Sequence, residues 1–160
     1  MDKIKSHFND RLRFRTPGVY HTHFPTRVYK KLDCANINDI SLFISKKNSW
    51  FHEGEIKISY REAIATLIIP PGSTIIRPEK SHILGAMRTD EVYVEKIEFL
   101  GDDSLQVDDY ICKSPTYGDI TYTTGDTIKP EFPLDTNVSK TNTSGIHFFI
   151  LKEQAKIYEV

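Results

Sequence analysis

The residues best suited to binding a small molecule lie in two short strings of the sequence. Gly145 precedes Ile146 to Phe149, in which His147 can both donate and accept hydrogen bonds near neutral pH. Arg88 offers a planar guanidinium that could hold an anionic group. Because glycine lets a backbone or a ligand approach closely, we predict that any small-molecule site lies where the strand after Gly145 meets the preceding turns.

A purely structural explanation of the same residues is open, and it is the one that we favour. In this explanation Arg88 pairs with a carboxylate, such as that of Asp90 or Asp119, and His147 bonds a backbone carbonyl in the core. Buried polar residues of small β-domains usually satisfy the backbone in this way.

Two histidines form the next candidate, a metal site. His21 and His23 would lie on one face of a strand, about 7 Å apart. Together with His52, His82 or Asp90 they could bind zinc. None of these further ligands has a diagnostic spacing, so we predict no metal site.

Neither the two cysteines nor any known nucleotide-binding or catalytic motif points to a reaction. Cys34 and Cys112 lie far apart, with no CxxC pair, and the amino terminus has no apolar segment typical of a signal peptide. We therefore expect both thiols to be reduced and structural. The sequence contains no GxGxxG, P-loop or GxSxG motif, which excludes nucleotide binding and catalysis through those devices.

The composition is typical of a globular domain. The 160 residues have a mass of 18.5 kDa, 39% of them are hydrophobic, and the formal net charge is −1. This length predicts a single domain over residues 1–160. A near-neutral charge argues against bulk binding of nucleic acid or of an anionic membrane surface. No apolar run approaches the roughly 18–20 residues of a membrane span.

Most of the first half has the composition of β-strands. Apolar, β-branched and aromatic residues predict strands over 18–24, 27–32, 65–69 and 74–76. Residues 38–47 have the amphipathic pattern of a short helix, and residues 1–16 resemble an arm or a helix. Ser59 and Glu62 have the spacing of a capping box, which could open another helix.

The second half is more plainly β. Residues 91–100 predict a strand, and a phase slip near Lys96 predicts a bulge in it. The remaining predicted elements are a hairpin partner over 105–112, a surface loop over 129–143, a strand over 146–151 and a short helix over 152–158.

These elements predict a β-rich α+β fold, with a mostly antiparallel sheet or a partly open barrel and a few short helices. The predicted core consists of Leu67, Ile69, Val92, Val94, Ile97, Phe99, Ile146 and Phe148.

Four strings of the carboxy-terminal half occur in a fixed order. They are Arg88 to Asp90, Val92 to Ile97, Tyr122 to Pro130 and Ser144 to Ile150. With the strand from Ala65 to Arg77, they resemble an uncharacterised domain of bacteriophages and large DNA viruses, which is often found beside pentapeptide repeats. The resemblance covers residues 65–158 and offers no counterpart for residues 1–64. It implies a viral origin and a β-rich fold, and it implies no activity.

Gly145 to Phe149 also resembles the strand that shapes the nicotinamide pocket of poly-ADP-ribose polymerases, and the strand around His21 resembles their ribose-binding strand. This resemblance implies that His21 contacts the ribose of NAD and that Tyr158 flanks the nicotinamide. It implies that a carboxylate, Glu91 or Glu95, acts as the acid. The glycine that follows the histidine in those enzymes is absent here.

Because no catalytic set is complete, we expect a non-catalytic viral accessory or binding protein, with an ADP-ribosyltransferase-like NAD-binding enzyme as the alternative. The protein would be a virion component or an antagonist of host defence, located in the host cytoplasm or the virion and not secreted. Expected partners are another viral or host protein, a small anionic ligand or a second copy of the chain. No cofactor is expected except NAD under the alternative. The candidate ligand-binding residues are Arg88, Gly145, His147, His21 and Tyr158.

Overall fold

A computed structural model describes residues 16–36, 60–80, 86–101, 110–115, 120–141 and 143–158. In these residues the strands are β1 (Gly18–His21), β2 (Thr26–Asn36), β3 (Tyr60–Ile69), β4 (Thr74–Arg77), β5 (Met87–Thr89), β6 (Val92–Phe99), β7 (Tyr110–Lys113), β8 (Thr121–Tyr122), β9 (Thr127–Ile128) and β10 (Ile146–Phe148). One helix, α1 (Lys152–Ile157), follows them. The predicted arm over 1–16, apart from Thr16, and the predicted helix over 38–47 lie outside the described residues.

The strands form two antiparallel sheets, which confirms the predicted β-rich fold. One sheet has the order β1-β4-β5-β10, and the other has the order β8-β7-β2-β3-β6-β9. The described strands close no barrel. Instead, the chain after β10 crosses from one sheet to the other, because Phe149 exchanges two backbone hydrogen bonds with Tyr29 of β2, at 2.8 and 2.7 Å. The two sheets are therefore joined along one edge.

The core lies around β3, the longest fully buried stretch. Every residue from Ala63 to Ile69 is buried, because β3 has sheet neighbours on both edges and packed layers on both faces. On one face lies the main cluster, which includes all eight predicted core residues. The other face carries Ile64, which packs with Phe149 of the crossing segment and Ala155 of α1.

A bulge interrupts the pairing of β3 with β6 at the predicted position. Thr66 pairs with Lys96 but Leu67 pairs with Val94, so Glu95 is the extra residue on β6. The Glu95 carboxylate accepts two hydrogen bonds from the Arg27 guanidinium on β2, both at 2.9 Å. The bulge thus supports a bidentate ion pair that spans β3.

Two predictions about local structure are wrong. The capping-box spacing of Ser59 and Glu62 opens no helix; a strand begins at Tyr60, because the apolar run that follows needs sheet partners on both edges. Residues 105–109 of the predicted hairpin partner lie outside the described residues. The described end of the partner lies in β7, which pairs with β2 and β8 and not with β6.

The expectation of reduced cysteines is also wrong. Cys34 of β2 and Cys112 of β7 form a disulfide, with their Cα atoms 4.0 Å apart. The two residues lie directly opposite each other in the register of the two strands. The thiols meet because the sheet pairs segments that are 78 residues apart in the sequence.

The predicted loop and the predicted helix near the carboxy terminus are confirmed, and the contacts of the buried Lys31 explain the helix. Residues 129–141 and Thr143 run as a surface loop, and α1 follows at Lys152. The Lys31 ammonium pairs with Glu62 and donates to the carbonyl of Tyr158, at 2.8 Å, just beyond the end of this helix. A helix of six residues is marginal alone, so this contact and the burial of Ala155 hold it in place.

No helix among the described residues is long and apolar enough to span a membrane.

Candidate functional site

The segment after β9 forms a long loop that a single arginine organises. We call residues 129–145 the C-terminal loop; Asn142 within it is not described. The Arg88 side chain of β5 is 0% exposed. Its guanidinium donates to three backbone carbonyls of this loop, those of Asp135 at 2.8 Å, Lys140 at 2.7 Å and Asn137 at 2.7 Å. The planar fork therefore fixes three points of the loop at once.

Arg88 keeps its charge in this buried setting. Burial lowers its pKa from the usual 12.5, and the nearby Asp135 carboxylate opposes that shift. Asp135 itself accepts hydrogen bonds from the backbone N–H of Asn137 and the hydroxyl of Thr143, which lower its pKa. The structural explanation of Arg88 thus holds in outline, but its acceptors among the described residues are backbone carbonyls and not the carboxylate of Asp90, and Asp119 lies outside that part of the chain.

The glycine of the Gly145 string makes room for this arginine. Gly145 has a φ of +143°. A Cβ atom there would lie 2.7 Å from Cδ1 of Leu134 and 3.0 Å from Cβ of Arg88. Both the backbone conformation and the close packing therefore require glycine. Arg88 and Gly145 are two parts of one packing unit, although 57 positions separate them along the sequence.

Replacing Gly145 by alanine is expected to lower the free energy of unfolding by about 2–4 kcal/mol, from backbone strain and overpacking together. Gly72 is the matched control, because it has a φ of +81° but a Cβ atom at that position would have no neighbour within 4 Å. Gly72→Ala should show the strain alone, about 1 kcal/mol. Urea unfolding of both variants measures the difference. Equal losses would contradict the packing role of Gly145.

His147 lies beside Arg88, since the two residues pair in the register of β10 and β5. Its Nε2 lies 3.2 Å from the carbonyl oxygen of Thr141. Burial is the main cause that lowers the pKa of His147 to about 4, and the Lys30 charge adds to it. The imidazole is therefore neutral at pH 7 and donates to the C-terminal loop from Nε2. Like Arg88, it satisfies backbone of this loop, as the structural explanation predicted.

Lys30 is a functional candidate that the sequence patterns did not single out. It is 5% exposed, and its Nζ donates to the carbonyl of His147 at 2.8 Å. The Nζ also lies 5.9 Å from the centroid of the Tyr122 ring. Strand alternation was the missed signal, since Lys30 stands between the buried Val28 and Leu32 on one face of β2.

A small cleft lies between Lys30, Tyr122 and the C-terminal loop. It is lined by Lys30, Ile120, Tyr122, Pro130, Glu131, Phe132, Ser144 and Gly145, and it has room for about one water molecule. Burial lowers the pKa of Lys30 to about 7 and raises the pKa of Tyr122. Burial thus favours the neutral amine of Lys30 and the protonated phenol of Tyr122 in this cleft.

The free energy of unfolding is expected to rise with pH above about 7, because the unfolded chain keeps a Lys30 proton that the folded chain has lost. The rise continues toward the ordinary pKa of 10.5 and amounts to at most about 5 kcal/mol. Urea unfolding at pH 7, 8 and 9 measures it. Lys30→Met should remove the rise, and the exposed Lys96→Met should keep it. A Lys30→Met protein with the wild-type slope would contradict the assignment.

The residues assigned to NAD do not form one site. His21 lies on β1 and His147 on β10, and these strands are the two opposite edges of the four-stranded sheet. Tyr158 packs against the ring of Phe149, with centroids 5.4 Å apart, on the outer face of the six-stranded sheet. Glu95 is held by Arg27, and Glu91 lies 3.5 Å from the Lys129 ammonium.

The described residues also contain no group of three ligands suited to a metal; His52 and His82 lie outside them.

The comparisons with known proteins identify a viral family. The uncharacterised protein L223 of Acanthamoeba polyphaga mimivirus is 36% identical over 143 residues, which are 88% of this chain and 88% of that protein. The uncharacterised protein L796 of the same virus is 32% identical over 152 residues, 95% of this chain and 87% of that protein. No solved structure matches significantly. A family model described as "Family of unknown function (DUF5758)" matches residues 11–155, which include most of the first 64 residues. The chain is therefore similar to uncharacterised proteins of a large DNA virus, and it belongs to this family of unknown function.

Proposed function

We propose that the protein is a non-catalytic viral binding protein that contacts another protein through the C-terminal loop. The observation that carries the proposal is that the buried Arg88 fixes the C-terminal loop through three hydrogen bonds, while the same loop exposes the aromatic side chain of Phe132. Phe132 of this loop is 57% exposed. Loops of this length without regular structure usually have a function.

The loop is organised before any partner arrives. Besides the three carbonyls bound by Arg88, the hydroxyl of Ser144 donates to the carbonyl of Phe132 at 2.6 Å, and the backbone N–H of Glu79 donates to the carbonyl of Val138 at 2.7 Å. Pro130 and Pro133 flank the exposed ring and restrict the backbone further. A preorganised loop loses little conformational entropy on binding, which favours affinity.

The chemistry of the loop favours a protein partner over a small anionic ligand. Arg88 is fully buried and already donates to three carbonyls, whereas Phe132 offers an apolar anchor for a recess on another viral or host protein. The proposal requires no cofactor. Because His21 lies on β1 of the four-stranded sheet and Tyr158 follows α1, which packs on the six-stranded sheet, no observation favours the NAD-binding alternative.

The disulfide between Cys34 and Cys112 is the observation that supports a proposed location for the protein. Cys34–Cys112 is buried, and disulfides persist in oxidising surroundings that include virion surfaces. We therefore propose the virion over the host cytoplasm as its location. We also propose that the chain forms a single domain. From the resemblance, we expect similar domains in bacteriophages and beside pentapeptide repeats.

Site-specific photo-cross-linking tests the proposed contact. A photoreactive phenylalanine at position 132 should give one defined cross-linked product in lysates of infected cells or in disrupted particles. The same probe at Ile157, which is 62% exposed and outside the loop, should not. Phe132→Ser should then reduce capture of the identified protein at least about tenfold, and Ile157→Ser should leave it unchanged. Equal products from both positions, or none from position 132, would refute the loop contact; a product formed with a second copy would identify a homo-oligomer.

A further inference from the structure

The C-terminal loop contains a sequence motif that the proposed protein contact does not use. Asn137, Val138 and Ser139 form an Asn-x-Ser triplet without proline at its middle position, which is the acceptor pattern of N-linked glycosylation. The triplet alone is a weak signal, because a motif this short also occurs by chance. A usable acceptor must also be exposed, with the nitrogen of its side-chain amide free of other partners.

The fold fixes Asn137 through its polar groups and leaves that nitrogen over. The carbonyl oxygen of Asn137 accepts hydrogen bonds from Arg88 at 2.7 Å and from the backbone N–H of Lys140 at 3.2 Å, and its own N–H donates to the Asp135 carboxylate at 2.8 Å. The side-chain oxygen Oδ1 accepts from the hydroxyl and the backbone N–H of Ser139, at 2.7 and 2.9 Å. Asn137 is exposed, and its Nδ2 has no hydrogen-bond acceptor among the described residues. The loop thus presents to solvent an amide nitrogen that the described part of the fold does not use.

The other triplet of this kind in the loop is presented differently. It consists of Asn142, Thr143 and Ser144, so its hydroxyl at the third position belongs to Ser144. Ser144 is 9% exposed, and its hydroxyl donates to the carbonyl of Phe132 at 2.6 Å. An enzyme that reads this hydroxyl in the folded loop would have to break that contact. Ser139, in contrast, is exposed, and its hydroxyl contacts the carboxamide of its own triplet.

The disulfide is a second observation that is independent of the motif. The bond between Cys34 and Cys112 persists in oxidising surroundings. Disulfides of eukaryotic cells form in the lumen of the endoplasmic reticulum, which is also where N-linked glycans are transferred to exposed Asn-x-Ser triplets. The disulfide and the exposed triplet therefore both fit passage of the chain through this compartment.

We propose that Asn137 is an N-linked glycosylation site, which takes its glycan from a lipid-linked diphosphate sugar donor. In the transfer, Nδ2 forms a bond to the anomeric carbon of the first sugar while the bond from that carbon to the diphosphate oxygen breaks. Nδ2 loses one proton, and the lipid diphosphate leaves. The step needs a transferase as catalyst and no oxidant or reductant. The site does not depend on the proposed contact through Phe132.

Mass spectrometry of the protein from infected cells or from purified particles tests the site. Peptide mapping should find Asn137 in a glycopeptide. An amidase that removes N-linked glycans, applied in water enriched in heavy oxygen, should then convert Asn137 to an aspartate that carries the label. A sample without the amidase measures spontaneous deamidation of the same peptide. A peptide that contains only unmodified Asn137 would overturn the proposal.

Two exchanges at position 139 make the result specific. Ser139→Thr keeps a hydroxyl at the required position and should keep the glycan. Ser139→Ala removes the hydroxyl and should reduce the modified fraction at least about tenfold. Because Ser139 is exposed, both variants should melt close to the wild-type temperature. A glycan that persists in Ser139→Ala, or a glycan at Asn142 and none at Asn137, would show that the exposed triplet is not the acceptor.

Discussion

Arg88→Ala is expected to lower the free energy of unfolding by about 3–5 kcal/mol, an exceptionally large effect for a single side chain. The substitution removes all three donors from the carbonyls of Asp135, Asn137 and Lys140 and leaves a cavity at a position that is 0% exposed. The three hydrogen bonds are part-buried, so loss of their donors is costly and the C-terminal loop should lose its fixed conformation.

The loss should be visible both globally and locally. Urea unfolding measures the global stability, and limited proteolysis with trypsin, which can cleave within the loop after Lys140, measures the order of the loop. Arg88→Lys keeps the charge but cannot reach three carbonyls, so its loss should be intermediate. Arg61→Ala removes an exposed arginine of β3 and should change stability by no more than about 0.5 kcal/mol. A loss below about 1 kcal/mol for Arg88→Ala would show that the arginine does not organise the loop.

Reduction of Cys34–Cys112 is expected to lower the free energy of unfolding by about 4–5 kcal/mol. The bond joins residues 78 positions apart, and the chain-entropy relation gives roughly this value for a loop of that length. The loss should fall most heavily on β7 and β8, because β7 pairs with β2 over only four residues and β8 pairs with β7 over two. Since β8 carries Tyr122, the wall of the Lys30 cleft should loosen with it.

Guanidinium unfolding with and without a phosphine reductant measures the effect, and alkylation of the thiols confirms full reduction. The Cys34→Ala, Cys112→Ala double variant should have the stability of the reduced protein and should not respond to the reductant. A fully reduced wild-type protein of unchanged stability would contradict the prediction. Loss of stability without any change in hydrogen exchange of β7 and β8 would contradict its local part.

The sequence alone determined the elements whose signals are local. The alternation of 91–100 with its phase slip near Lys96 indicated a strand with a bulge, and the bulge lies at Glu95. Prolines and polar residues over 129–143 indicated a loop, and all eight predicted core residues are buried. These predictions hold because side-chain direction in a strand and backbone freedom in a turn depend on neighbours a few residues away.

Only the tertiary structure decided which distant segments meet. Strand β7 pairs with β2 and β8, and not with its predicted neighbour β6, so the sheet joins segments that are far apart in the sequence. The same pairing places Cys34 opposite Cys112, a contact for which the sequence holds no local signal.

The buried cations show the same division most clearly. Residue type indicated that Arg88 and His147 could serve either a ligand or the backbone, but the partners of Arg88 are carbonyls of a loop about 50 positions away. Strand alternation places Lys30 on the face of Val28 and Leu32, but its contacts follow from the tertiary structure, in which Phe149 pairs with β2 and the Tyr122 ring of β8 lies near its Nζ. A charged group gains or loses its partners according to where the folded backbone places oxygen atoms and excludes water, and that placement is set by contacts between sheets and not by spacing along the chain.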